Sequence, residues 1–203
     1  HTVEIRSIDD ALQKLKLVLT SQIPTLPMQI NLPVGSAKLQ GEPATSIVNL
    51  LTKQPITIPQ LLADAEIGKH GQQAVFQVLM IMAARGLVAP VMPESGDTAR
   101  RASTNRFNRA VLMQPAGLES QNLASPVLGN GMLAPRLDQF ILSLGPSLTA
   151  ERLLQEAKTR GFRLHQAEGN GQTPVDTIES VSAVLDQFKA QRLPVYKRLG
   201  VVS

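Results

Sequence analysis

The chain has 203 residues, 43% of them hydrophobic and 18% charged, which is apolar material enough for one large domain or two small ones. It has no cysteine, which excludes disulfides, thiolate nucleophiles and cysteine-ligated metal centres; a net charge of +4 with 3% aromatic residues argues against a general polyanion binder or a base-stacking surface. No apolar run reaches the roughly 18 residues of a membrane-spanning helix and no leader pattern opens the chain, so a cytoplasmic protein is expected, and a first residue of His1 rather than methionine suggests excision from a longer parent.

The alternation from His1 to Arg6 predicts a short edge strand, and Ser7-Ile8-Asp9-Asp10 has the form of a capping box. The helix it opens would carry Ala11, Leu12, Leu15, Val18 and Leu19 on one face and end before Pro24 and Pro27. Met28–Leu32 alternates as a strand, and Pro33–Gly41 is looser. Ile47, Val48, Leu50 and Leu51 then mark a helix stopping near Pro55. A second starts at Thr57 as N-cap, with Gln60 at the third helical position, Pro59 in the first turn and an Ile56–Leu61 hydrophobic staple. After a turn at Ile67-Gly68-Lys69, Ala74, Val75, Val78, Leu79 and Met82 form the stripe of a third helix that ends at Gly86. Leu87–Val91 reads as a strand, Pro93–Thr104 as a polar loop and Arg109–Met113 as a returning strand, which completes a winged-helix order.

Farther on, Gln114–Gln121 reads as a loop and Ser125–Gly131 as a turn-bearing linker. Leu137, Phe140, Ile141 and Leu144 lie on a helix stopped by Gly145-Pro146, and Thr149 caps another with Leu153, Leu154 and Ala157. Gly169–Gly171 is a loop, Thr173–Asp176 caps a last amphipathic helix through Ile178, Val181, Leu185 and Phe188, and the apolar tail Leu193–Val202 packs back on the body. The expected fold is therefore α+β and mostly helical: a strand–helix–strand segment over 1–41, a winged helix-turn-helix domain over 42–114, and a linker with a helical C-terminal unit over 115–203.

Chemistry is sparse in this pattern. His1, His70 and His165 are far apart and form no chelating pair, Asp9 and Asp10 suit a helix N-terminus, and Gly129-Asn130-Gly131 and Gly169-Asn170-Gly171 lack the third glycine and the strand-to-helix frame of a nucleotide fingerprint. No catalytic, cofactor or metal residue is assigned. The candidate contacts for a partner protein or a nucleic acid are Lys69, Gln72, Gln73 and Gln77 on the third helix and Arg100, Arg101, Arg106 and Arg109 in the expected wing. DNA is the less favoured partner, because the third helix has no arginine before Arg85.

Several segments carry a resemblance. Val34–Ala44, Gln54–Leu62 and Gly86–Val91, followed by Asn108–Leu112, Leu123–Gly131 and Leu142–Thr149, resemble the C-terminal part of bacterial S-adenosylmethionine-dependent methyltransferases that carry a predicted regulatory domain, some of whose relatives are protein lysine methyltransferases. The resemblance implies a catalytic methyltransferase domain N-terminal to this chain, with S-adenosylmethionine as the cofactor of that domain, and an accessory role here, regulatory or in recognition of the acceptor substrate, for which a protein is one candidate. Two other classes compete with it: a winged-helix DNA-binding regulator, and a module that forms a homodimer through its last helix and tail.

Overall fold

The computed structural model describes residues 13–32, 35–114, 120–168 and 171–202. The protein is α+β, with just over half of its described residues in helices and the described strands in small antiparallel sheets. The chain divides into two compact units, His1–Pro93 and Glu94–Ser203. The expected strand over 1–6 and the capping box over 7–10 lie outside the described residues.

The first unit runs β1 (Lys16–Leu19), β2 (Met28–Leu32), β3 (Gly35–Leu39), α1 (Ala44–Lys53), β4 (Ile56–Thr57), α2 (Ile58–Ala63), α3 (Ala65–Gly68), α4 (Gly71–Ala84) and β5 (Val88–Pro90). β1 is the centre of a three-stranded antiparallel sheet, β4-β1-β5, with Leu17 opposite both Ile56 and Pro90 and Leu19 opposite Val88. β2 and β3 pair as a separate hairpin, Met28 opposite Leu39. The core gathers Leu17, Leu19, Ile30, Ile47, Leu51, Leu61, Ile67, Val75, Leu79 and Met82, one contribution from nearly every element.

Local chemistry explains the helices. Thr57 Oγ1 accepts from the Gln60 amide at 3.3 Å while the Thr57 amide donates to Gln60 Oε1 at 2.9 Å, a reciprocal capping box worth about 1 kcal/mol to α2, and both staple residues, Ile56 and Leu61, are buried. Asp64 Oδ1 accepts from the amides of Glu66 and Ile67, which turns the expected bend at Ile67–Lys69 into the short helix α3. At the far end of α4, Gly86 takes φ +64°, and its amide and that of Leu87 return to the carbonyls of Ala83 and Met82 at 2.9 and 2.8 Å; this Schellman closure stops the helix where its stripe ends.

Two expectations fail here for physical reasons. Residues 16–19 are strand, not helix: Leu17, Val18 and Leu19 are consecutively buried, which one helix face cannot achieve and a central strand covered on both faces can. The looser segment after Pro33 contains β3.

The second unit runs α5 (Asp97–Met113), β6 (Ser120–Ser125), β7 (Asn130–Pro135), α6 (Arg136–Leu144), α7 (Ala150–Thr159), β8 (His165–Glu168), β9 (Gly171–Pro174), α8 (Ile178–Gln187), a π-helical turn (Phe188–Arg192) and α9 (Leu193–Arg198). The strand expected at Arg109–Met113 is the last part of α5, a helix built on an alanine- and arginine-rich run of good helix formers rather than on an apolar stripe, for only Asn108 in it is buried. In the first unit's sheet, the place beside β5 that a returning wing strand would fill is held by β1. Ser125–Gly131 is not a linker but the turn of the β6–β7 hairpin and its flanks. The cap of α8 is Thr177, in a box with Ser180, and Thr173 belongs to β9. Thr149 caps α7 as expected, its Oγ1 accepting from the Arg152 amide. The tail packs back: Val195, Tyr196, Leu199 and Val201 join Leu123, Phe140, Ile141, Leu153, Val181, Leu185 and Phe188 in the core. Gly200, at φ +68°, lies so close to the hairpin turn that a Cβ there would come within 2.9 Å of the Pro126 ring.

Candidate functional site

The eight candidate contact residues fall four in each unit. Lys69 follows α3, and its ammonium is paired with Glu66, which raises its pKa above the ordinary lysine value. Gln72, Gln73 and Gln77 are exposed on α4, and Phe76, Met80 and Ile81 lie among them, so this outward face is apolar at its centre and amide-bearing at its edges. Met80 is 68% exposed at the centre of this face. No arginine or lysine of α4 itself lies on this face, since Gly71–Ala84 contains neither.

The arginines divide by role. Arg100 donates to the carbonyls of Pro126 and Ser95 at 2.9 and 3.1 Å and to Asp97 at 3.2 Å; Arg101 donates to Asp97 at 2.6 Å. Arg100 therefore ties the start of α5 to the β6–β7 turn, while Arg101 bonds within α5 and, ahead of Arg100, holds the Asp97 carboxyl below the usual carboxylate range. Arg106 and Arg109 are exposed farther along α5, near Phe107 and Met113, which are 52% and 79% exposed. These two arginines, not the first pair, are free to meet a partner.

Two polar centres carry no local signature in the sequence. Asp138, on α6, is buried, and its Oδ1 and Oδ2 accept from Arg192 Nη1 at 2.6 Å and the Tyr196 hydroxyl at 2.7 Å. Arg192 and Tyr196 are four apart, on one helical face. Their spacing and an aspartate one residue from the stripe of α6 were the only available hints. Asn108 is the other: its amide nitrogen donates to the carbonyls of Ala124 and Val201 at 2.9 and 3.0 Å, and its oxygen accepts from the Ala124 amide at 2.7 Å. Among the described residues no buried side-chain polar atom at either centre lacks a partner, which is the arrangement of a structural clamp.

Burial first, and the Asp138 charge second, push the Tyr196 phenol well above its ordinary pKa of 10.0. A group whose folded pKa is raised contributes stability fully present below its unfolded pKa and lost above it. The unfolding free energy of the second unit is thus expected to fall as pH rises past about 10, and Tyr196→Phe to remove that part of the fall. Tyr196 is the single tyrosine of the chain, so phenolate absorbance during an alkaline titration measures it directly. Ionisation at an ordinary pH in the folded protein would contradict the expectation.

Among the described residues no cluster of three or more histidines and carboxylates is placed to hold a metal ion, and no helix is long and apolar enough to cross a membrane. The second unit does contain two cavities beside α5. One of about 380 Å³ lies against the stacked rings of Phe140 and Phe162, whose centroids are 4.4 Å apart, with the Arg136 guanidinium 4.5 Å above Phe162. The other, of about 790 Å³, is walled by α5, α6, α8, the π-helical turn, α9 and the tail.

No protein-family model matches the chain, and no solved structure matches it. It is similar to the uncharacterized protein sll1526 of Synechocystis sp. (strain ATCC 27184 / PCC 6803 / Kazusa), with 27% identity over 199 residues that cover 94% of this chain and 38% of that protein. The chain thus spans less than two-fifths of the length of that relative.

Proposed function

We propose that this chain is a non-catalytic accessory region of a bacterial S-adenosylmethionine-dependent methyltransferase whose catalytic domain lies N-terminal to it, and that it helps hold the protein acceptor. The observation that carries the accessory role is the outward face of α4. Met80 is exposed there, flanked by the half-buried Phe76 and Ile81 and by exposed glutamines, a surface with the apolar centre and polar rim of a protein contact. The parent enzyme is the one the sequence resemblance implies.

The first unit is, on this reading, a winged helix opened at its wing. β4, α2, α3, α4 and β5 follow in the winged-helix order, and β1, arriving from the N-terminal side, takes the central place of the sheet between β4 and β5. In that scheme α4 is the helix that would enter a DNA groove. A protein partner is favoured over DNA because α4 has no cation of its own to meet phosphate and the nearby Lys69 already pairs with Glu66.

The methyl donor belongs to the catalytic domain. A donor site in the usual frame needs a parallel sheet with a glycine-rich turn leading into a helix, and the described strands pair only in antiparallel fashion, so no step involving the donor is assigned to these residues. An accessory region accelerates transfer by holding the acceptor in reach of the catalytic domain, which raises kcat/KM without altering donor affinity.

The test uses the parent enzyme. Met80→Glu places a charge at the centre of the α4 face and is expected to lower kcat/KM for a protein acceptor about tenfold or more, the effect of spoiling an interface hot spot, with donor affinity by calorimetry unchanged. Full activity of the variant, or binding of the donor by the 203-residue chain alone, would refute the proposal.

A further inference from the structure

We propose that the 790 Å³ cavity of the second unit is a binding site for a small amphipathic anion, an acyl chain ending in a carboxylate. The inference does not depend on the methyltransferase reading.

The volume lies in the range of small-molecule sites, and the inner wall is apolar, with Ile141, Leu185 and Phe188 buried and Leu112 half-buried beside them. Its charge is one-sided. Arg109 from α5, Lys189 from the π-helical turn and Lys197 from α9 all line the cavity, and no aspartate or glutamate is among its lining residues. Among the described residues none of these three has an ion-pair partner, whereas Arg100, Arg101, Arg160 and Arg192 each have a carboxylate. Cations from three separate elements thus line one largely apolar cavity that has no carboxylate among its lining residues.

The local backbone adds a second indication. Phe188 and Lys189 sit in the π-helical turn, a conformation that is rare in proteins and concentrated at functional sites, and the turn presents an apolar wall residue and a rim cation side by side. A purely ionic ligand would gain nothing from the wall, and a neutral hydrocarbon would leave the three cations unpaired. A ligand with an apolar body and one anionic end satisfies both, its chain against Ile141, Leu185 and Phe188 and its carboxylate at the mouth, where Arg109, Lys189 and Lys197 are exposed.

Decanoate, kept below its micelle-forming concentration, is the probe, titrated calorimetrically into the 203-residue chain. The expected result is saturable one-to-one binding that weakens with added salt, is about tenfold tighter than that of 1-decanol, and is absent for acetate. Combined replacement of Arg109, Lys189 and Lys197 by alanine changes only exposed side chains, so the circular dichroism spectrum should be that of the wild type while decanoate affinity falls about tenfold or more. Leu112→Trp, which narrows the cavity and keeps all three cations, should weaken decanoate and decanol alike. The proposal is overturned if decanoate does not saturate, if decanol binds equally well, if more than one decanoate binds per chain, or if the triple variant retains full affinity. Association with phosphatidylglycerol vesicles in the absence of monomeric decanoate binding would likewise overturn it, in favour of a basic surface for membranes.

Discussion

Asp138→Ala is expected to destabilise the second unit by about 2–3 kcal/mol, enough to lower its melting temperature by roughly 10 °C. The carboxylate is buried at 1% exposure and joins α6 to the π-helical turn and to α9 through two short charge-assisted hydrogen bonds. Its removal deprives the Arg192 guanidinium of its one carboxylate partner among the described residues and leaves the Tyr196 hydroxyl, in a residue 3% exposed, without an acceptor. The Arg192 side chain is 41% exposed and turns to water, so most of the cost falls on the tyrosine and on the void left by the carboxyl. Asp138→Asn separates charge from shape. Its amide oxygen accepts from Arg192 and its amide nitrogen donates to the tyrosine oxygen, so it should lose about half as much. Urea unfolding of the two variants gives the comparison, and a loss below about 1 kcal/mol for Asp138→Ala would show that the clamp is dispensable.

Much of the local structure was legible in the sequence, and the failures have a common origin. The box at Thr57 and Gln60, the stripe of Val75, Leu79 and Met82 and the cap at Thr149 are short-range devices whose partners lie within a few residues, so local reading finds them. Leu15, Val18 and Leu19 also recur at helical spacing, yet what decides residues 16–19 is the pairing of β1 with residues about 40 and 70 positions later, which no local period encodes. α5 misled for the opposite reason: it buries one polar residue and no apolar stripe, so there was no periodicity to detect, and Val111-Leu112-Met113 passed for a strand.

The site followed the same division. The exposed face of α4 was found because its glutamines follow helical spacing, but the central role of Met80 in it was not, since a methionine on a helix is ordinarily assigned to the core. Arg100 and Arg101 looked like free cations because Asp97, which holds them, was placed in a loop. The Asp138 clamp spans 54 and 58 positions and the large cavity draws on residues from 105 to 202, arrangements that exist only once the chain is folded.

Asn108→Ala is expected to cost about 3 kcal/mol, because one side chain there supplies the pairing of backbone groups in two segments, β6 and the tail. It joins α5 to β6 through both polar groups of Ala124 and to the tail through the Val201 carbonyl, and among the described residues the tail has no strand partner. Alanine leaves three backbone groups unsatisfied where water has little access, as Asn108 is 3% exposed. The neighbouring Ser125 hydroxyl, which donates to the Leu199 carbonyl at 2.7 Å, holds the adjacent turn of the tail but reaches none of these groups, so it cannot substitute. Asn108→Asp is the sharper probe: its carboxylate still accepts from the Ala124 amide but faces the Ala124 and Val201 carbonyls with no proton to donate. At neutral pH it should therefore be at least as damaging as alanine, and it should recover stability as pH falls and the carboxyl regains a proton that it can donate to one carbonyl. Chemical unfolding at pH 7 and pH 4, measured relative to wild type at each pH, gives the comparison. Equal losses for Asn108→Asp at both pH values would mean that Asn108 acts by filling space and not by donating hydrogen bonds.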